Sequence, residues 1–456
     1  MSIGSFVIFL LFLYIVVGAI RDSWKGCVGY NFWAVLCPTW NWRWAIPIIA
    51  YQKYISAAAF LGFLLSGMKR QKLPMSGNLA IAGLVLYLVL SFVSAQQSLN
   101  PAKSAFFLDV TWKIVVMAVL ACWTIDSPKR LNLLCWSIVC AQGWNAFNIN
   151  QMFYQYGINV TYFTWNYLDN NVYSISSVPP MAIAFAFMLT ERKRLLIGLS
   201  GVVFVLQMHQ LMILQSRGTM LGAIGMVGVG VVAMPKNRQT FSLVMAGLIA
   251  GAVLAGPSVV EEFSSAFSAE GERDTSAESR FALWKAGAAI MKDYPLLGVG
   301  PWAGERMVPR YYEGGLTSQA KALHNLIFEV GTGSGTPALV VYLAFFLLPW
   351  WVHFRVWWRH RRSFPDWFRT CNLAILAGVP GYMLSSMFSS GALIESPYLL
   401  MVVGIASLAI YRFHSGNPVF VPVPPTVAGM GPAGNGGPED LKGEVTDSRT
   451  VPQRRP

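Results

Sequence analysis

Repeated runs of about 20 apolar residues constrain this chain's fold more than any other feature of its sequence. They lie at roughly 3–20, 45–67, 78–95, 107–125, 131–149, 175–190, 195–214, 218–234, 240–259, 324–352, 369–388 and 393–411. Runs of that length suit a hydrocarbon layer about 30 Å thick. In such a solvent each backbone N–H and C=O must be satisfied within the segment, which selects helix. The expected fold is therefore all-α, a polytopic membrane helix bundle of about 12–13 spans with one large polar loop. The stretch from Cys27 to Trp40 is aromatic, broken by Pro38 and short for a span. It reads as a further crossing or as a re-entrant or interfacial hairpin. The run 3–20 has no basic n-region before it and no small-residue cleavage site, so it reads as a first span and not a removed signal.

Charge supports the same class. Only 12% of the 456 residues are charged and 55% are hydrophobic, against about 25% charged in soluble domains. The net charge of +13 does not point to nucleic acid, because the basic residues sit in short loops between apolar runs. Lys69, Arg70 and Lys72, then Lys129 and Arg130, Arg192 to Arg194, Lys236 and Arg238, and Arg355 to Arg362 occupy alternate loops. The positive-inside rule makes those loops cytoplasmic. Loop 150–174, the turn Ser216–Arg217–Gly218 and the long stretch 259–323 then face outward. The parity of the span count turns on whether Cys27–Trp40 crosses or the first run is misread. None of the six cysteines forms a Cys-x-x-Cys pair, so neither a zinc site nor a disulfide framework is indicated.

These patterns divide the chain into an N-terminal transmembrane region (1–258), an outer loop with an amphipathic helix (259–323), a C-terminal transmembrane region (324–412) and a tail (413–456). The tail is rich in Pro and Gly and too polar to bury a core, and is expected to be disordered in the cytoplasm. Loop 150–174 mixes aromatics with amides, which suits an interfacial aromatic belt or a platform for sugars. Its sequon at Asn159–Val160–Thr161 decides nothing alone.

Candidate chemistry lies on the outer side. Of five histidines, His353 and His360 fall among cytoplasmic arginines, His414 opens the tail, and His209 lies inside a span, where an interhelical hydrogen bond is expected. His324 is placed where the polar loop re-enters the membrane, as a capping residue or as a base near its ordinary pKa. Arg217 stands at the outer end of two apolar runs, where arginine is costly unless paired or functional. Beside the start of a helix it suits a bidentate phosphate clamp; a snorkelling role is the alternative. Arg280 opens a helix with Phe281, Trp284, Ala288 and Met291 on one stripe, expected to lie on the membrane boundary. Arg306 and Arg310 extend the positive patch. There is no Walker loop, dinucleotide fingerprint or metal-ligand spacing, so no cofactor and no metal are expected.

Taken together, Ser216–Gly218, Arg280–Trp284, Asp293–Gly300 and His324–Glu329 with Gly331, Gly333 and Gly335 resemble the O-antigen ligase and polymerase superfamily in content, order and topology. The N-terminal spans and Asp169–Asn170–Asn171 are also similar to putative O-glycosylation ligases of exosortase systems. The resemblance implies a multi-pass protein of the bacterial inner membrane that moves a glycan from undecaprenyl diphosphate to a glycolipid, glycan or protein acceptor on the periplasmic side. It implies His324 as general base and Arg217 and Arg280 as diphosphate ligands. Asn325, Glu329, Asn170, Trp284, Arg306 and Arg310 are then further substrate-binding candidates. The run Glu329-Val-Gly-Thr-Gly-Ser-Gly departs from the more apolar turn of the family. A polymerase and a protein O-glycosylation ligase share the same donor. A transporter or flippase is the reading from a different class, but its ionisable groups belong near the midplane, whereas these gather at the outer edge.

Overall fold

The computed structural model describes residues 3–47, 49–158, 164–254, 275–313, 316 and 318–413. The sequon, the start of the 259–323 loop and the tail beyond 413 lie outside the described residues. The helices are α1 (Ile3–Arg21), α2 (Ser23–Leu36), α3 (Pro38–Asn41), α4 (Tyr51–Leu65), α5 (Met75–Ala95), α6 (Pro101–Thr124), α7 (Pro128–Tyr156), α8 (Asn170–Thr190) and α9 (Arg194–Ile213). They continue as α10 (Arg217–Ala233), α11 (Arg238–Leu254), α12 (Thr275–Asp293), α13 (Val308–Tyr311), α14 (Leu326–Ser334), α15 (Thr336–His360), α16 (Asp366–Ser385) and α17 (Ser396–Phe413). Seven of the described helices are individually long and apolar enough to cross a membrane. This is an all-α, polytopic membrane bundle.

Local signals set the boundaries. Pro101 and Pro128 occupy first-turn positions, and Asn100 and Ser127 accept hydrogen bonds from the N–H groups of Lys103 and Arg130. Asp169 caps α8 by accepting from Asn171 and Val172, and Asn325 caps α14 by accepting from Ile327 and Phe328. Gly157 closes α7 at φ +62°.

Contacts between loops sort the helix ends into two sets. At the basic end, Arg192 pairs with Asp366 at 2.7 Å. The Gln71 N–H donates to Trp123 O at 3.0 Å, and Arg130 lies over the Trp24 ring at 5.0 Å. At the opposite end, Tyr167 Oη donates to Thr39 O at 3.1 Å, and Asn170 Nδ2 to Leu214 O at 3.0 Å. The α2–α4 connection therefore belongs to the end opposite the basic loops, so Cys27–Trp40 is a pass and not a surface hairpin. Counting α1, α2, α4 to α11, α14–α15 as one, α16 and α17 gives thirteen helical runs between the two ends among the described residues. An odd number puts the first and last helix ends on opposite sides.

Small residues let the helices approach closely, the usual device where lipid is no less apolar than Leu. A Cβ on Gly222 of α10 would lie 1.9 Å from Ser385 Oγ and 2.6 Å from Gly381 O of α16. His353 is fully buried, with Gly404 O 3.1 Å from Nε2 and Asn372 beside Nδ1. It is thus a bridge inside the bundle and not a loop residue. His209 meets the interhelical expectation, facing Asn150 Oδ1 across Nδ1 and Tyr154 Oη across Nε2. All six cysteines are free.

Candidate functional site

The site begins at two helix starts. Asp169 and Asn170 open α8 against the turn that joins α9 to α10. Asn170 holds Leu214 O, and Ser216 Oγ donates to Asn171 Oδ1 at 2.9 Å. Arg217 is the first residue of α10, next to that contact. The following Gly218 is needed for closeness, since a Cβ there would stand 2.3 Å from Phe388 Cβ.

Phe388 links this turn to the rest. Its ring lies 6.0 Å from that of Trp284 on α12. The adjoining Met387 O accepts from Asn325 Nδ2 at 3.0 Å, and Ser386 O from the Leu326 N–H at 2.8 Å. His324 directly precedes that cap in left-handed backbone, φ +49°, outside the spanning segments. Its imidazole is partly buried, and its pKa is lowered from the ordinary value. Burial is the main cause, followed by the positive charges of Arg280 and Lys321, with Asp169 opposing them. Arg280 and Asp169 are therefore both electrostatic neighbours of His324. Arg217, Arg280, His324, Asn170, Asn325 and Trp284 occupy one connected group of elements.

The other candidates stand apart. Glu329 lies one turn into α14 and lines a cavity of about 20 Å³ with Trp302, Leu323 and Ser390, roughly room for one water. Its Oε2 has no hydrogen-bond partner. Arg306 and Arg310 are exposed on the short helical turns at 304–306 and 308–311. Asp169 was not among the sequence candidates for the site, although Asp-Asn-Asn before an apolar run is a readable helix-start signal.

The glycine-rich run after Glu329 has a packing account. The N–H groups of Val299 and Gly300 donate to Thr332 O at 2.9 Å and Gly333 O at 3.0 Å. A Cβ on Gly298 would lie 2.4 Å from Thr332 O, and one on Gly335 2.1 Å from Leu296 O. The loop 296–300 is thus laid directly on the end of α14. The glycines admit backbone to backbone, and they hold the base of the helix whose cap carries His324.

Helix α12 packs on the bundle by a face other than the apolar stripe read from its sequence. Leu283, Ala286 and Ile290 are the buried residues, while Phe281 is 53% exposed. Apolar side chains occur on two faces, and packing takes the one with Ala286 and Gly287. A Cβ on Gly287 would meet the Phe328 side chain at 2.8 Å, so the small face is the one that admits α14.

A membrane bundle with arginines and a histidine gathered at the end away from its basic loops defines the class: a polytopic membrane protein with an edge-located polar site. Residues 202–343 match the family model described as O-Antigen ligase, a segment that contains Arg217, Arg280 and His324. The match supports the O-antigen ligase superfamily for this chain and an O-antigen ligase-type membrane function. No curated protein matches the chain.

Proposed function

We propose that the protein is a metal-independent glycosyltransferase of the inner membrane that transfers a glycan from undecaprenyl diphosphate to an acceptor hydroxyl on the periplasmic side. The observation that carries this reading is the meeting of the Arg217 turn, Arg280 and His324 around the 386–388 loop. The diphosphate on the donor's anomeric carbon is already a leaving group. Two tasks remain, neutralising charge on the departing oxygen and removing a proton from the acceptor. Guanidinium groups suit the first, because their planar fork binds phosphate oxygens in pairs. A histidine kept neutral by its surroundings suits the second. Attack from the face opposite the diphosphate inverts the anomeric centre.

The test uses purified protein, undecaprenyl diphosphate-linked glycan and three acceptors: lipid A core, a second lipid-linked glycan and a peptide. Release of undecaprenyl diphosphate that depends on one acceptor identifies the ligase, polymerase or protein-glycosylating reaction respectively. His324→Ala is expected to bind donor and to lose about 10²–10⁴-fold in turnover, the range for a positioned base. His324→Gln, which cannot take the proton, is expected to be nearly as inactive. Recovery of most of the rate in the Gln variant overturns the base assignment. Arg217→Lys retains charge without the fork, and is expected to remain well below wild type.

A further inference from the structure

On the far side of the α8 start lies a cavity of about 1000 Å³, walled by α2, α4, α6 and α7, residues 166–168 and the segment 393–396. None of the residues assigned above to base or diphosphate lines it. Its walls change character with depth. Lys53 on α4 and Asp109 and Lys113 on α6 stand toward the end that carries His324, with Lys113 paired to Asp109 at 2.6 Å. Further along both helices the lining becomes Ala57 and Phe60, then Val116 and Met117.

The polar part of the wall is built and incompletely satisfied. Glu395 accepts a hydrogen bond from Tyr30 Oη at 3.0 Å and one to each carboxylate oxygen from Gln52 Nε2 at 3.2 Å. A carboxylate oxygen has room for two or more donors, and this one is reached from the cavity. Trp33 Nε1 and Ser396 Oγ, in residues 3% and 6% exposed, have no hydrogen-bond partner, and neither has Asn166 Oδ1. All three residues line the same cavity, with these atoms themselves buried inside its wall. Pro180, inside α8, has no N–H to offer the carbonyl of Ser176, another lining residue. Buried polar atoms left unmatched cost about 1–3 kcal/mol each, and such backbone groups at membrane depth are tolerated chiefly where they line a cavity. Aromatic faces beside a carboxylate, phenol hydroxyls and side-chain amides form the chemistry that matches sugar rings, apolar on their faces and hydroxylated at their edges.

The cavity also has a side entrance. Helix α4 packs on α1 and α2, whereas α6 packs on α5, α2 and α17. Between α4 and α6 the lining residues Phe60, Trp112 and Val116 are 49%, 42% and 39% exposed. An exposed apolar rim on two spanning helices faces lipid.

We propose that this cavity binds the saccharide of a lipid-borne glycan, with Glu395, Tyr30 and Gln52 holding hydroxyl groups and the lipid chain leaving between α4 and α6. The proposal rests on the reading that the protein handles lipid-linked glycans, and it names where one of them sits. Asp169, whose charge reaches His324, directly follows the lining residue Leu168, so a glycan held here lies beside the proposed reaction centre.

The probe is a benzophenone side chain placed at Val116, with Leu13 on α1 as control, in full-length protein in its native membrane. After illumination, peptides are examined by mass spectrometry for saccharide-bearing adducts. An adduct at 116 and none at 13 is expected, reduced about tenfold by Glu395→Gln and by Ala57→Trp, which narrows the entrance without touching Glu395. Diphosphate in the adduct identifies the donor; its absence identifies the acceptor. Adducts of phospholipid only, or saccharide adducts unchanged in both variants, overturn the proposal. His324→Ala is expected to leave the adduct intact. An active His324→Ala enzyme with the adduct present therefore sinks the proposed mechanism and spares the site.

Discussion

The charges around His324 make a titration experiment informative residue by residue. Burial, Arg280 and Lys321 hold its pKa below the ordinary imidazole value, and Asp169 opposes them. The neutral, proton-accepting form therefore persists to lower pH than for a free histidine near 6.5. The acid limb of kcat/KM is expected below that value. Arg280→Ala removes a positive neighbour, so it should raise the pKa and move the limb upward while also weakening donor use. Asp169→Asn removes the opposing carboxylate and should move the limb further down. A pH profile of the three proteins checks the signs; a limb that stays put in both variants shows that His324 is not the group being titrated. As candidates, His324, Arg217 and Arg280 could be named from residue type and placement. Asp169 was readable only as a helix cap, because its nearness to His324 depends on chain segments far apart in sequence.

At the level of elements, the tightest test is the α10–α16 contact. Gly222→Val forces carbon into space held by Ser385 and Gly381 and is expected to cost about 1–3 kcal/mol. Gly228 on the same helix faces open space, so Gly228→Val should change unfolding in detergent far less. Equal losses in the two variants would show that helix propensity and not packing sets the cost. Most spans were legible because their apolar runs exceed what a soluble helix needs. The helix α12 was legible as an element, but the face it packs on the bundle was not. Periodicity finds an apolar stripe, whereas the choice between two such stripes was made by Gly287 and the Phe328 that fills it. The short α2 was ambiguous for a related reason. Its 14 residues reach about 21 Å, and it is the contacts of Thr39 and Trp40 with Tyr167 and Trp165 that put its end at the far side.

For the whole molecule, the alternation of basic loops carries an orientation that can be measured. In a cysteine-free background, a cysteine at Lys285, a side chain 70% exposed, is expected to react with an impermeant maleimide in intact cells. One at Arg361 is expected to react only after permeabilisation. Reaction at 285 only in broken cells reverses the orientation and removes the proposed periplasmic chemistry.

The position of Asp169 has one more consequence. The residue caps α8, follows the wall of the large cavity at Tyr167 and Leu168, and sets part of the field at His324. A guest in the cavity that shifts this carboxylate changes the proton affinity of the imidazole. Thermodynamic reciprocity then requires the proton to change the guest's affinity by the same factor. Occupancy and protonation are in that case linked through a single side chain, and acidity on the side of the membrane that carries His324 becomes a variable that the cavity can sense.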